Sequence, residues 1–209
     1  MNKTSLILAL VVALFLTSCG TNDNANNNEE KVMNTTMNDL LTRRSVRSYT
    51  EEVPPMEVIE EICKAGTYAP TGMNRQAPVI VAVTNREVRD RLSKLNAAVF
   101  GPDNDMDPFY GAPVVLVVLA DTTAAMTWKE DGSLVMGNLL NAAHAKGLGS
   151  CWIHRAKEVF ETEEGKAILK DAGIENENLV GIGNCILGYT AGEYPEAQPR
   201  KDNYVYWIK

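Results

Sequence analysis

The chain has 209 residues, of which 45% are hydrophobic and 22% are charged, a composition that suits one compact domain with a sizeable core. Its 20 Lys and Arg residues are outnumbered by 27 Asp and Glu residues, which gives a formal net charge of −7. An acidic chain without a basic stripe does not predict a nucleic-acid partner.

The first eighteen residues have the pattern of an export signal. Lys3 is followed by an apolar run from Leu6 to Leu16, which is shorter than the ~20 residues that a membrane-spanning helix needs. The small residues before Cys19 resemble a bacterial lipobox, which implies cleavage before Cys19 and lipidation of that cysteine. We therefore predict a lipoprotein signal peptide over residues 1–18 and a cell-envelope protein held at the membrane by its lipid alone, on the periplasmic or outer-membrane side. The alternative is an ordinary signal peptide with a chance cysteine.

Residues 19–34 are rich in Asn and contain only two aliphatic side chains, Ala25 and Val32. Such a segment cannot bury enough apolar surface to fold, so it predicts a flexible tether before a domain at 35–209. The three remaining cysteines, Cys63, Cys151 and Cys185, are far apart and have apolar neighbours. This spacing predicts buried thiols and no metal site.

Helical and strand patterns alternate along the domain and predict an α/β fold. Helices are expected over Met37 to Thr42, from Pro54-Pro55 to Gly66, over Glu87 to Leu95, Asp131 to Lys146 and Glu158 to Ala172. Strands are expected over Val79 to Thr84, Val114 to Leu119, Cys151 to Ile153 and Leu179 to Leu187. The second strand is entirely Val and Leu, which indicates burial on both faces of a sheet.

Three further segments have distinct patterns. The helix over Asp131 to Lys146 has a broad apolar face, which we assign to Leu134, Val135, Asn138, Leu139, Ala142 and Ala145. Ala97 to Tyr110 lacks periodicity and predicts a surface loop, a candidate lid. The aromatic end, Tyr204 to Ile208, has no obvious place in its own core and could add an edge strand to a neighbouring chain.

The densest cationic cluster is the stretch from Arg43 to Tyr49, which holds three arginines and two serines in seven residues. Arginine presents a planar fork of donors that matches a phosphate, and serine adds a short neutral donor. A second cationic pair, Arg200-Lys201, lies near the end of the chain. No glycine-rich phosphate loop precedes a helix, so side chains must hold any phosphate. The alternative is a solvated basic turn.

Four segments in order resemble the FMN-dependent nitroreductase family, from about Met37 to Lys209. They are Arg43-Arg44-Ser45-Val46-Arg47, the loop Ala69-Pro70-Thr71-Gly72-Met73-Asn74-Arg75-Gln76, the segment Gly147-Leu148-Gly149-Ser150-Cys151-Trp152-Ile153, and Pro199-Arg200-Lys201. The resemblance implies a three-layer α/β/α sandwich that works as a homodimer with an exchanged C-terminal tail. It also implies bound FMN, with NAD(P)H as the electron donor and nitroaromatics, quinones or related small molecules as acceptors.

The resemblance assigns roles to individual residues. Arg43, Arg44 and Ser45, with Arg200 and Lys201, would hold the ribityl phosphate, and Arg47 would lie near the pyrimidine edge of the flavin. Asn74 and Gln76 suit the alternating donors and acceptors of that edge. Pro70 belongs to the loop that would reach the partner's flavin. Ile153, His154 and Arg155 match the segment that passes the flavin N5.

Several readings stay open. Arg200 and Lys201 could be ordinary surface charges, Asn74 and Gln76 could satisfy loop backbone, and His154 could be structural. Many family members have Pro directly after the glutamine, where this chain has Ala77, and Gly or an acid where His154 and Arg155 stand. These departures leave the choice of substrate and of hydride donor open, but they do not touch the phosphate site. The alternative functions are another flavin reaction, such as dehydrogenation or reductive dehalogenation, or a flavin-binding lipoprotein without turnover.

Overall fold

The computed structural model describes residues 35–101, 104 and 106–209. Residues Met37 to Lys209 form one compact unit. The predicted signal peptide, the tether and the lipidation site at Cys19 lie outside the described residues. In the described part of the chain, no helix is both long and apolar enough to span a membrane, and no cluster of three His, Cys, Asp or Glu side chains could hold a metal ion.

Four antiparallel strands form one sheet in the order β1-β2-β4-β3. They are β1 (Pro78–Val83), β2 (Val114–Asp121), β3 (Gly149–Ile153) and β4 (Leu179–Gly188). All residues of β2 before Asp121 are buried, which confirms the prediction of a strand covered on both faces.

Six α-helices occur among the described residues, and a short 3-10 helix (Gly72–Asn74) lies between the second of them and β1. The α-helices are α1 (residues 35–42), α2 (Met56–Thr67), α3 (Arg86–Ala98), α4 (Trp128–Ala145), α5 (Ala156–Glu161) and α6 (Glu163–Asp171). Alternate residues of β2 face two separate cores, because successive side chains of a strand point to opposite faces. Val114, Leu116 and Val118 pack with α2 and α4, whereas Val115, Val117 and Leu119 pack with α3, α5 and α6. The predicted three-layer α/β/α sandwich is therefore confirmed.

Two of the differences from the predicted helix boundaries have a clear physical cause. The single helix expected over Glu158 to Ala172 is broken at Thr162, which has extended backbone angles and caps α6 by accepting a hydrogen bond from Gly165 N at 3.0 Å. Gly66 does not end α2 but lies buried within it. An ideal Cβ on Gly66 would be 2.7 Å from Leu139 Cδ2, so the glycine permits close packing of α2 on α4.

The apolar face assigned to α4 is partly wrong. Val135 and Leu139 are buried as expected, but Leu134 is 47% exposed. The buried face also contains Met136, Leu140 and Ala143, which are turned towards the sheet. Because α4 is apolar around most of its circumference, its sequence pattern did not fix which side faces the core.

The segment expected to be a surface loop, Ala97 to Tyr110, is only partly one. Its end is anchored in the protein: Phe109 is 1% exposed, and Asp107 forms an ion pair with Arg89 at 2.6 Å. The segment still exposes apolar side chains at both ends of its described part, at Val99 and Phe100 after α3 and at Met106 and Tyr110 on either side of the anchor.

Candidate functional site

The basic stretch is fixed against the sheet by its backbone. Ser45 forms an isolated bridge with Ser150 at β3, and Val46 N donates to Ser150 O at 3.0 Å. Val46 is 1% exposed, so it anchors the stretch in the core. Its neighbours Ser45 and Arg47 consequently alternate away from the core, as in a strand.

The arginines of this stretch have no carboxylate partners. None of Arg43, Arg44 and Arg47 takes part in an ion pair among the described residues, although the chain is acidic overall. Arg43 Nη1 and Arg44 Nε are buried without a hydrogen-bond partner in the same part of the chain. Arg44 Nη1 donates to Leu41 O and Arg43 O, each at 2.8 Å. Unneutralised guanidinium groups with unused donors favour an anionic ligand.

The loop between α2 and β1 holds exposed amides in a strained backbone. Met73, Asn74 and Gln76 have φ values of 52°, 54° and 50°, which are unfavourable for residues other than glycine. The loop is tied to α4 because Gly72 N donates to Asp131 Oδ1 at 3.0 Å. Gln76 Nε2 donates to Asn74 Oδ1 at 3.2 Å, so the two amides are already adjacent, and both side chains are exposed.

Two buried asparagines hold the segment after β3. Asn96 Nδ2 donates to His154 O at 2.9 Å, and Asn184 Nδ2 lies 3.3 Å from Ile153 O and 3.4 Å from His154 O. Neither asparagine was among the predicted site residues. The signal that could have identified Asn184 is its position as a polar residue inside an apolar strand, because a buried amide requires partners.

Arg155 makes contacts within its own chain. Its φ is 75°, and its Nε and Nη2 donate to Asn96 Oδ1 at 3.1 and 2.8 Å. The guanidinium lies 4.1 Å from the centre of the Phe100 ring. Burial lowers the pKa of Arg155, opposed by the nearby Glu158. Its guanidinium is thus held by α3 and the following loop, whereas the neighbouring His154 side chain is exposed.

The remaining predicted residues do not meet the basic stretch within one chain. Pro70, Arg200 and Lys201 are exposed, and Lys201 Nζ lies 5.3 Å from the centre of the Tyr204 ring. Among the described residues, no hydrogen bond or ion pair joins Arg200, Lys201, Asn74 or Gln76 to residues 43–47. A residue that precedes Arg200 in the C-terminal segment does contact the stretch, since Arg44 N donates to Tyr194 Oη at 2.8 Å.

An open apolar cavity of about 510 Å³ lies beside the edge strand β1. It is lined by residues of α2, the strained loop, β1 and α4, among them Met56, Ile59, Cys63, Gln76, Ile80 and Val135. Gln76 therefore stands where the amide loop meets this cavity.

Comparison with known proteins identifies the family. Residues 40–189 match the Nitroreductase family. The chain belongs to the nitroreductase family. A protein of Archaeoglobus fulgidus named "Putative NADH dehydrogenase/NAD(P)H nitroreductase" is 33% identical over 158 residues, which cover 74% of this chain and 84% of that protein.

Two crystal structures of nitroreductases with bound FMN share the fold. The one from Bacteroides fragilis is 25% identical, has a TM-score of 0.75, and covers 83% of this chain and 98% of its own. The one from Desulfitobacterium hafniense is 26% identical, has a TM-score of 0.74, and covers 84% of this chain and 100% of its own.

Proposed function

We propose that this nitroreductase-family chain is an FMN-dependent oxidoreductase that transfers hydride from NAD(P)H to a nitroaromatic, a quinone or a related small acceptor. The observation that carries the proposal is the group of three arginines at 43, 44 and 47, which have no carboxylate partner in the described chain. The FMN-bound nitroreductases that share the fold support the choice of ligand.

The residues present fit a flavin phosphate. Arg43 Nη1 and Arg44 Nε are buried donors without hydrogen-bond partners among the described residues, and a phosphate has the oxygens that such donors require. Arg43, Arg44 and Ser45 would hold the phosphate, with Arg200 and Lys201 contributing further positive charge.

FMN, when bound, supplies hydride transfer through its N5, and the protein supplies binding, orientation and electrostatics. Arg47 would lie near the pyrimidine edge, where a fixed cation favours the negatively charged reduced flavin. Asn74 and Gln76 offer both donors and acceptors to that edge. The backbone from Ile153 to Arg155 would pass N5, held in place by Asn96 and Asn184.

A homodimer is part of the proposal. Strand β1 has a neighbour on one side only in the described sheet, and the apolar cavity lies beside it. Tyr204, Val205, Tyr206, Trp207 and Ile208 are each 61% or more exposed, which is unfavourable for apolar side chains in a single chain. Residues 204–208 of a second copy would cover the open edge of β1, and their aromatic side chains would be buried in the same contact. The Pro70 loop would reach the partner's flavin.

The cofactor assignment has a direct test. Protein purified after FMN supplementation should be yellow, and the double variant Arg43→Ala with Arg200→Ala should lose most of the colour, because two phosphate-binding cations are removed. Arg91→Ala is the matched control, since Arg91 pairs with Glu164 on the opposite layer of the sandwich. A colourless wild-type protein contradicts the proposal, and an unchanged double variant contradicts the assignment of the two arginines.

The acceptor and the donor need a separate experiment, because the exposed His154 and the α3-bound Arg155 depart from the family pattern beside N5. NADH and NADPH oxidation should be followed anaerobically with nitroaromatic and quinone acceptors. Turnover with these acceptors supports the proposal. Bound flavin that neither nicotinamide reduces would favour another flavin reaction, and flavin that no acceptor reoxidises would favour a binding protein.

The envelope location is proposed from the N-terminal sequence alone, and it raises a question about the donor, since soluble NAD(P)H is a cytoplasmic reductant. Fractionation of the full-length protein and a Cys19→Ser variant tests it. The wild type should sediment with membranes and the variant should not. Recovery of the wild type in the cytosol contradicts the lipoprotein assignment.

A further inference from the structure

A chain of hydrogen bonds links α1, α4, the basic stretch and the tail. Arg44 N donates to Tyr194 Oη at 2.8 Å, and Tyr194 Oη lies 3.2 Å from His144 Nδ1. On the other side of the imidazole, His144 Nε2 lies 2.8 Å from Thr42 Oγ1, which in turn donates to Asn38 O at 2.6 Å. The rings of His144 and Tyr194 are stacked with centroids 5.8 Å apart.

The groups at the two ends determine which atom donates in each hydrogen bond of this series. A backbone N–H can only donate and a carbonyl can only accept. Thr42 therefore uses its one hydroxyl proton on Asn38 O and accepts from His144 Nε2–H. Tyr194 Oη accepts from Arg44 N and gives its own proton to His144 Nδ1. The contacts are satisfied together by one neutral tautomer of His144, with the proton on Nε2.

This series of hydrogen bonds ends at the proposed phosphate site. Arg44 N belongs to the basic stretch, and its side chain carries one of the unused donors. Tyr194 lies six residues before Arg200 and is the last tail residue hydrogen-bonded to that stretch among the described residues. The hydroxyl of Tyr194 thus joins the start of the basic stretch, directly after α1, to the C-terminal segment that carries Arg200 and Lys201.

We infer that His144, through Tyr194, is a positioning residue for the phosphate-binding arginines. The inference rests on the proposed function, because it concerns the phosphate of the proposed flavin. Neither side chain needs to touch the ligand: the imidazole orients the tyrosine hydroxyl, which fixes the backbone of Arg44.

The test compares FMN with riboflavin, which has the same ring system but no phosphate. Tyr194→Phe keeps the stacked ring and removes only the hydroxyl. The variant should bind FMN about threefold to tenfold more weakly, the range expected for one lost hydrogen bond, while its affinity for riboflavin should not change. Thr42→Val should show the same preference, and Thr42→Ser, which keeps the hydroxyl, should behave as the wild type.

Tyr68→Phe is the matched control, because Tyr68 is 76% exposed and its hydroxyl makes no hydrogen bond among the described residues. A second measurement does not depend on flavin. The chain has 2 histidines, so a long-range ¹H–¹⁵N spectrum of the flavin-free protein resolves both rings, and a His154→Gln spectrum assigns them. His144 should carry its proton on Nε2.

The outcomes are distinguishable. Equal losses of FMN and riboflavin affinity in Tyr194→Phe, unchanged FMN affinity, or a proton on Nδ1 of His144 would each overturn the inference and leave the proposed function standing. A wild-type protein that binds riboflavin and FMN equally, or neither, would overturn the phosphate site itself and the inference with it.

Discussion

The sequence singles out individual residues of the candidate site where their chemistry is unusual for the chain. The arginines at 43, 44 and 47 stand out in an acidic sequence, and the structure leaves them without carboxylate partners in its described part. The contacts of His144 were not predictable, since Thr42 and Tyr194 lie 102 and 50 residues away along the chain. A single sequence shows which groups need partners but not which distant groups supply them.

Asp107 is a second residue whose importance only the structure shows. Its carboxylate accepts hydrogen bonds from Arg89 Nη2, Ser93 Oγ, Phe109 N and Gly111 N at 2.5 to 2.9 Å. Burial pushes the pKa of Asp107 up, but the hydrogen bonds from Arg89 and Ser93 outweigh it and hold the pKa below its usual value. The ionised carboxylate thus anchors the end of the candidate lid.

Replacing Asp107 with Asn should lower the free energy of unfolding at pH 7 by about 2 kcal/mol, because a charged acceptor is lost and Arg89 is left without this partner. A lowered pKa stabilises the fold above the unfolded-state pKa, about 3.9 for Asp, and this stabilisation is lost as pH falls through the folded-state value. As the pH is lowered from 7 to below about 4, the free energy of unfolding should therefore fall less in the variant than in the wild type.

Urea unfolding at pH 7 and pH 3 measures both effects. Asp90→Asn is the control, since Asp90 also pairs with Arg89, and with Arg86 on the same helix, but lacks hydrogen bonds like those that Ser93, Phe109 N and Gly111 N donate to Asp107 among the described residues. Its cost should stay below about 1 kcal/mol. Equal costs for the two substitutions would show that Asp107 is not the anchor.

At the scale of elements, the strands were predicted better than the helices. An unbroken run of Val and Leu predicts strand β2, whereas the division between α5 and α6 depends on one threonine. Thr162 accepts from Gly165 N and donates to Val159 O at 2.6 Å. Sequence periodicity continues across this residue, so it could not show that the chain changes direction there.

Thr162→Ala should destabilise the protein by about 1 kcal/mol, because the first turn of α6 loses its side-chain cap. Thr162→Ser keeps the capping oxygen and should cost much less. Thermal or urea unfolding of the two variants decides this, and an alanine variant as stable as the serine variant would exclude a capping role.

At the scale of the whole molecule, the layered fold followed from the alternation of helices and strands, but the site did not assemble within one chain. The basic stretch meets the segment after β4 at Tyr194. Among the described residues, neither the amide loop nor the Arg200-Lys201 pair forms a hydrogen bond or ion pair with the stretch. A sequence cannot show which site residues come from the same copy. The proposed homodimer is the arrangement that would bring them together.

A chain ending at Asn203 tests the contribution of the tail and keeps both Arg200 and Lys201. Loss of Tyr204 to Lys209 should weaken the dimer by at least about tenfold in its dissociation constant, because apolar side chains leave the interface. Sedimentation or light scattering over a concentration series measures this, with a chain lacking only Lys209 as the control. A wild-type protein that remains monomeric at high concentration contradicts the dimer.

The open side of β1 has a consequence for how the protein is made. Its sequence, Pro-Val-Ile-Val-Ala-Val, carries no charge, and only the proline at its start reduces its capacity to pair with another strand. Until a second copy covers it, such an edge can pair with strands of other molecules. Unpaired copies should therefore aggregate more readily than dimers, and aggregation should increase when newly made chains accumulate faster than they dimerise.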